Sequence, residues 1–286
     1  MAQTATTGSL ENAQRIIIAS ARYTEEHNAP AMNLIEKFTL PKGSKQVTVP
    51  KVGQMSMSDL VDGLDIVDEE QIGMTTVDLT ASEVGAKIII TDKLARQSAE
   101  NVFSLIGRQL GDGMARKKDV DVLALYSGFS TDIGAAGRSM SLANVSATVA
   151  YAKGKKFGSQ VYIVQHPFAV WDIANTAVTA STTYPVPAGW SAELLGNFFS
   201  GLRPMNGVPI FEDGNITIDS SDDAVGVCAD RSALGVVMSV DTRTERQRDA
   251  SLRATEVVIT ADYGVFELDD SKGVALTLDA ATPATS

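Results

Sequence analysis

The chain has 286 residues, and 44% of them are hydrophobic, which is enough to bury the core of one large domain or two small ones. It carries 35 acidic against 24 basic residues, a net charge of −11, which argues against a protein that binds nucleic acid mainly by neutralising phosphates. One cysteine, Cys228, and two histidines, His27 and His166, exclude a disulfide framework and a cysteine-built zinc site. We therefore expect a folded protein without a cofactor, made in a reducing cytoplasm.

The longest apolar runs are far below the roughly 20 residues of a membrane-spanning helix, so we expect no membrane association. The N-terminus also lacks the features of a secretory signal. From Ser9 to about residue 28, apolar residues recur at helical spacing and predict an N-terminal arm. Its apolar stripe fits packing on its own domain or on a neighbouring subunit, and these two interpretations stay equal.

An acidic segment follows the arm. Between Val52 and Ala86 the chain has eight acidic residues and no Lys or Arg. Residues 45–50 alternate as in a strand, and residues 75–80 and 86–91 also read as strands, which predicts an extended hairpin with the acidic centre at its far end. That centre contains Asp59, Asp62, Asp65, Asp68, Glu69 and Glu70. A two-stranded ribbon is marginal alone in water and persists where something covers it, whereas a solvated loop is the alternative interpretation.

The clearest predicted helix covers residues 98–127. At 1.5 Å per residue, about 30 residues would span roughly 45 Å, which is typical of a strut. Helix and strand patterns then alternate through residues 138–240, as in a separate α/β unit, and the remainder reads as strands and turns.

Basic residues are grouped in two places. Arg116, Lys117 and Lys118 lie on the predicted long helix, and Arg243, Arg246, Arg248 and Arg253 lie within eleven residues of each other. If these groups receive the acidic hairpin of another copy, identical chains associate head to tail, and such contacts close into rings or shells. The alternative is that the arginines meet solvent or local acids such as Glu245 and Asp249.

Catalytic patterns are weak. His166 with Asp172 and some serine is the one candidate hydrolase set away from the chain's edge, but no G-x-S-x-G motif accompanies it. A Walker-type phosphate loop is also missing from the sequence. A soluble α+β enzyme centred on His166 remains the hypothesis from a different functional class.

The order of these elements resembles the major capsid proteins of tailed phages, which have the Hong Kong 97 shell fold that encapsulin nanocompartments share. The resemblance covers nearly the whole chain. It includes the return segment, where DASLRATE (residues 249–256) leads into VVITADYG (residues 257–264), and GVPI at residues 207–210, which is similar to a strand of the family's A-domain.

The resemblance implies an α+β fold with five parts: an N-arm (1–33), an extended hairpin called the E-loop (34–84), a P-domain with a long spine helix (85–137), an A-domain (138–240), and a return to the P-domain with a C-terminal tail (241–286). It implies a structural protein that self-assembles into pentamers and hexamers of an icosahedral phage head around double-stranded DNA, which it contacts weakly. Its location would be the virion capsid, assembled in the host cytoplasm, with room for a scaffolding protein, a portal and a decoration protein as partners. An encapsulin-type shell is the alternative within the same fold, and no catalytic residue is carried over from the family.

Overall fold

The computed structural model describes residues 31–52, 59, 73–97, 102–178 and 208–283. Its helices are α1 (Ala31–Leu34), α2 (Asp92–Gln97), α3 (Val102–Leu123), α4 (Leu142–Gly154) and α5 (Pro167–Val178). Its strands are β1 (Glu36–Thr39), β2 (Gln46–Val52), β3 (Met74–Thr80), β4 (Ser82–Thr91), β5 (Val161–Gln165), β6 (Ile210–Glu212), β7 (Asp223–Asp230), β8 (Leu234–Asp249), β9 (Ala254–Glu267) and β10 (Gly273–Asp279).

The first sheet is built around the long hairpin β8–β9. Its strand order is β1-β8-β9-β4, with β1 parallel to β8 and the other neighbours antiparallel. Along β9, Val257, Ile259, Ala261 and Tyr263 alternate with less buried residues and are themselves buried. This period of two gives the sheet one apolar face, as expected for a strand that is buried on one side only.

The long helix α3 covers that apolar face. Ile106, Leu110 and Met114 follow one another at intervals of four residues and are buried, so they form a single stripe along the helix. Near the end of the helix, Asp121 Oδ2 accepts a hydrogen bond of 2.7 Å from the hydroxyl of Tyr263 on β9. The helix is therefore held against the sheet by apolar packing and by this polar contact.

The second sheet forms an α/β unit with α4 and α5. Its strand order is β10-β7-β5-β6, in which β5 and β6 are parallel and the other pairs are antiparallel. Strand β5 is buried from Tyr162 onward, and Gln165 at its end donates a hydrogen bond to the carbonyl of Leu276. Because β5 is central and nearly all apolar, its sequence reads as a short continuous hydrophobic run.

Strands β2 and β3 form a separate two-stranded sheet, which we call the ribbon. The prediction of a hairpin before the long helix is thus confirmed for these two strands. The predicted strand at residues 86–91 lies within β4, which pairs with β9 and not with the ribbon. It leaves the ribbon because alternate β4 residues, such as Ile88 and Ile90, belong to the one-sided core of the first sheet.

Two further differences from the sequence prediction concern element bounds. The long helix has 22 residues and spans about 33 Å, shorter than predicted, because the chain turns after Leu123 into a short 3₁₀ segment at Tyr126–Gly128. Residues 98–101 lie outside the described residues. Strand β8 runs through the arginine-rich residues 241–249, which the sequence analysis did not predict as a strand. The predicted domain limits stay predictions; the described strands β4 and β8 run through the limits at residues 84 and 240.

Candidate assembly surfaces

The ribbon has two chemically different faces. Its register pairs Val47 with Leu79 and Val49 with Val77, so these four side chains share one face. The opposite face is polar, and there the Thr48 hydroxyl donates a hydrogen bond of 2.6 Å to Asp78. Leu79 is fully buried, whereas the three valines are only half-buried. One face of the ribbon therefore presents a partly exposed apolar stripe.

The ribbon is attached to the rest of the subunit along the end of β9. At its root, the carbonyl of Thr80 lies so close to Gly264 that an added Cβ would be 2.1 Å from the oxygen. Further along the ribbon, Lys51 Nζ forms an ion pair of 2.5 Å with Asp269, two residues past β9. At the end nearest the acidic segment, Met74 is 62% exposed.

The six predicted acidic interface residues belong to the segment that joins the two ribbon strands. Asp59 is described by the structure and is exposed. Asp62, Asp65, Asp68, Glu69 and Glu70 lie outside the described residues. Their role in contacts between subunits stays a prediction.

The three basic residues on α3 have different environments. Arg116 is exposed, and Lys117 is exposed but forms an ion pair of 2.6 Å with Asp121 one turn along the helix. Lys118 is only 3% exposed; its ammonium group donates a hydrogen bond of 2.9 Å to Thr242 and lies 5.7 Å from the ring centre of Tyr263. Lys118 therefore belongs to the contact between helix and sheet, and it is withdrawn from the predicted surface group.

The arginines of β8 do not form one patch. Thr244 is buried and pairs with Ile259 on the apolar face of β9, so it lies on the helix side of the sheet, and residues that alternate with it point the other way. Arg243 lies on the far face of the sheet, beside Glu245 at 3.6 Å and the Thr260 hydroxyl at 3.3 Å. Arg246 and Arg248 share the helix side with Thr244. The prediction of a single basic group is therefore corrected to two groups on opposite faces of a strand.

Arg248 and Arg253 differ in whether a described residue of the same chain already binds the guanidinium group. Arg248 makes a bidentate contact with Asp92 at the start of α2, with N–O distances of 2.5 and 2.7 Å. The hydrogen bonds to Asp92 raise the pKa of the Arg248 guanidinium above its ordinary value. Arg253 is exposed and lies in the turn between β8 and β9 with a positive φ of 49°. The alternative of local acid partners thus holds for Arg243 and Arg248.

His166 lacks the geometry of a catalytic histidine. Its Nδ1 accepts a hydrogen bond of 3.2 Å from the backbone N–H of Phe168, so this atom cannot donate to Asp172 as a triad requires. The ring packs edge-on against Phe168, and burial lowers the pKa of the imidazole. Burial raises the pKa of Asp172, whose carboxyl group is hydrogen-bonded to Ser139. His166 therefore caps the start of α5.

Two buried carboxyl groups, Asp119 on α3 and Asp213 after β6, form a pair that was not predicted from the sequence. Burial and the adjacent Asp213 raise the pKa of Asp119 to about 7. Both residues have ordinary sequence surroundings. Asp119 ends a run of four charged residues, and Asp213 precedes a glycine in a predicted turn. A sequence signal for their pairing does not exist, because the contact joins distant parts of the chain.

Within the parts of the chain that the structure describes, no group of three or more His, Cys, Asp or Glu side chains is arranged to hold a metal ion. The described helices also include none that is both long enough and apolar enough to cross a membrane.

Comparison with known proteins gives one family and a set of similar folds. A family model described as "Phage capsid protein" matches residues 75–277. No curated protein matches the sequence. Among solved structures, a chain from Mycobacterium phage Che8 is 16% identical with a TM-score of 0.65, over 87% of this chain and 91% of that chain.

Two more solved structures have similar folds. The capsid of a native GTA particle gives 12% identity and a TM-score of 0.67, over 87% of this chain and 90% of that chain. The capsid of Ralstonia phage GP4 gives 15% identity and a TM-score of 0.65, over 88% and 89%. The family match spans well over half of the chain and confirms the prediction of a structural, non-enzymatic capsid protein. The chain belongs to the phage capsid protein family.

Proposed function

We propose that copies of this capsid protein assemble into the pentamers and hexamers of an icosahedral tailed-phage head that encloses double-stranded DNA. In this proposal the ribbon and the acidic segment act as the E-loop, and α3 acts as the spine helix of the P-domain. The α/β unit acts as the A-domain. The particle structures of GTA and Ralstonia phage GP4, whose capsid chains share this fold, support the assignment.

The observation that carries the proposal is the exposed apolar stripe of the ribbon. Val47, Val49 and Val77 lie on one face and are only half-buried, although an isolated two-stranded ribbon is marginal in water. Covering the exposed parts of these side chains gains about 25 cal/mol per Å² of apolar surface. A second copy of the chain is the partner that a shell provides at every ribbon.

Charge complementarity gives the ribbon a direction in this proposal. The segment between its strands, residues 53–73, has six acidic residues and no Lys or Arg. The exposed cations Arg116 and Arg253 of a neighbouring copy are the proposed receivers, together with Lys117, Arg243, Arg246 and Arg248. Exchange of local partners by Lys117, Arg243 and Arg248 costs little, because exposed ion pairs contribute only about 0–1 kcal/mol each.

The net charge of −11 fits a container for DNA. A shell that neutralised many phosphates would hold its cargo tightly and hinder packaging and release. We therefore include weak contact with the packaged DNA in the proposal. Assembly in the host cytoplasm, with a scaffolding protein, a portal or a decoration protein as additional partners, belongs to the same proposal.

Charge reversal tests the proposed contact. The triple variant Asp65→Lys, Asp68→Lys, Glu69→Lys should leave the subunit folded by circular dichroism but abolish closed particles in electron microscopy and sedimentation. Adding Arg116→Glu and Arg253→Glu to the same chain restores opposite charges across the contact and should recover part of the assembly. A matched control, Glu212→Lys at the exposed end of β6, should assemble normally. Normal particles from the triple variant would contradict the proposed contact, and a small oligomer of the unaltered chain under every condition would contradict the shell itself.

A further inference from the structure

The buried carboxyl groups of Asp119 and Asp213 connect the long helix to the α/β unit. Asp119 is 0% exposed and Asp213 is 3% exposed. Asp119 Oδ1 accepts a hydrogen bond of 3.2 Å from the backbone N–H of Ala31, and its Oδ2 accepts one of 2.8 Å from the side-chain amide of Asn215. Asp213 Oδ1 accepts from the backbone N–H of Asn215 at 2.9 Å. Three separate segments therefore meet at this pair.

One oxygen of the pair has no donor. Asp213 Oδ2 is buried and has no donor among the described residues, although the side chains of Asp119 and Asp213 are in hydrogen-bonding contact. Two carboxylates cannot donate to each other, whereas one proton between them satisfies both. Among the described residues, neither carboxylate forms an ion pair with a lysine or arginine. A shared proton thus accounts for the oxygen that otherwise lacks a donor.

We propose that Asp119 and Asp213 share one proton, and that this shared proton stabilises the contact between α3 and the α/β unit. Loss of the proton as the pH rises weakens that contact.

The groups around the pair cannot replace that proton with a positive charge. Burial lowers the pKa of the His166 imidazole in the α/β unit, although the charge of Asp213 raises it, and this disfavours a positive charge there. Tyr126 and Tyr162 are buried phenols with raised pKa values, and burial is the main cause for both. Lys118, next to Asp119 on the helix, directs its ammonium group to Thr242 and the ring of Tyr263. The described surroundings therefore favour the singly protonated form of the pair over the form with two negative charges.

The direction of the pH effect follows from the raised pKa of Asp119, about 7 against the ordinary value of 3.8. Between these two values the folded chain binds a proton that the unfolded chain has lost. The contribution of this proton to stability is therefore greatest below the ordinary value and falls as the pH rises towards 7. Above about 7, two negative charges face each other in a buried site, and the joint between the helix and the α/β unit loosens.

Asp119→Asn imitates the protonated form. The amide oxygen of the new side chain, placed at the Oδ1 position, can still accept from Ala31, and its N–H₂ group at the Oδ2 position can donate to Asp213 Oδ2 at any pH, with loss of the hydrogen bond from Asn215. The matched control is Asp112→Asn, which removes an exposed carboxyl group from the same helix. The full-length subunits of the unaltered chain and both variants are unfolded with denaturant at intervals between about pH 5 and pH 9.

The unaltered chain and the control should lose stability relative to Asp119→Asn as the pH rises. We compare the unfolding constant of the unaltered chain, and that of the control, with the unfolding constant of Asp119→Asn. Each ratio should increase by nearly tenfold per pH unit below about pH 7 and level off above it. Equal pH dependence of all three proteins would overturn the proposal. An infrared spectrum of subunits or particles at about pH 6 gives a second test that does not depend on unfolding. It should contain the carbonyl band of a buried protonated carboxyl group that Asp119→Asn lacks, and absence of that band from the unaltered chain would also overturn the proposal.

Discussion

Lys51 and Asp269 form an ion pair that joins the ribbon to the first sheet across 218 positions of sequence. Asp269 also accepts hydrogen bonds from the backbone and the hydroxyl of Ser271, so Ser271 holds its carboxylate in place beside Lys51. Burial tends to raise the pKa of Asp269, but the hydrogen bonds from Lys51 and Ser271 outweigh it and hold the pKa below its ordinary value. This pair sets how the ribbon lies along the end of β9.

Lys51→Met should loosen the ribbon without unfolding the subunit. Because the ion pair is partly exposed, its loss should reduce the free energy of unfolding by less than about 1 kcal/mol. The amides of β2 and β3 should nevertheless exchange with deuterium faster, as measured by mass spectrometry. Lys45→Met, which removes an exposed lysine just before the ribbon, is the control. In the unaltered chain, the ion pair between Lys51 and Asp269 should also weaken as the pH falls through the lowered pKa of Asp269. A carboxyl group with a lowered pKa stabilises the folded chain only while it is ionised. Unchanged exchange in Lys51→Met would show that the pair does not restrain the ribbon.

Gly264→Ala should displace the root of the ribbon. An added Cβ would lie 2.1 Å from the carbonyl oxygen of Thr80, and this backbone atom cannot move without shifting β3. We expect a loss of about 1–3 kcal/mol in the free energy of unfolding, as for other overpacked sites. Gly113→Ala on α3 has open space around the new methyl group and should stabilise by about 0.5–1 kcal/mol. Denaturant titration of both variants measures the contrast, and equal effects would argue against a tight contact at Gly264.

Regular periodicity made much of the fold predictable. The described helices α4 and α5 and the strand β5 lie within residues 138–240, where alternating helix and strand patterns are predicted, and β10 lies in the part predicted as strands and turns, because their apolar patterns are regular. The second half of β8 was not predicted because all residues from 241 to 249 are polar, so the segment has no alternation of apolar and polar side chains. Its strand conformation comes from its pairing with β9, as between Arg246 and Val257, which a local pattern does not reveal.

The candidate surfaces were less predictable than the fold. Lys118 follows Ile106, Leu110 and Met114 at the same spacing of four, so its position in the buried stripe could have been read from the sequence. Its charge argued for exposure, but a lysine can bury its stem while the ammonium group finds polar and aromatic partners. The pairing of Asp119 with Asp213 could not have been read, since only the tertiary fold brings the two segments together.

Cys228 should be inert to thiol reagents in the folded subunit. It lies in the central strand β7, fully buried, and burial raises the pKa of the thiol to about 12. The reactive thiolate is therefore almost absent near neutral pH. A chromogenic disulfide reagent should react with one thiol per chain only after denaturant is added, because the sequence contains a single cysteine. Rapid labelling of native subunits would mean that β7 opens readily.

Replacement by phenylalanine should change the free energy of unfolding in opposite directions at Tyr126 and Tyr263. Tyr126 is 0% exposed, and its hydroxyl has no hydrogen-bond partner among the described residues. The hydroxyl of Tyr263 donates to Asp121. Tyr126→Phe removes an unsatisfied polar group from the core and should raise the free energy of unfolding by about 1 kcal/mol, whereas Tyr263→Phe breaks a hydrogen bond and should lower it by a similar amount. Denaturant unfolding at one pH compares the two variants directly. A loss of stability in Tyr126→Phe would mean that its hydroxyl is paired, with a bound water as the simplest partner in that part of the core.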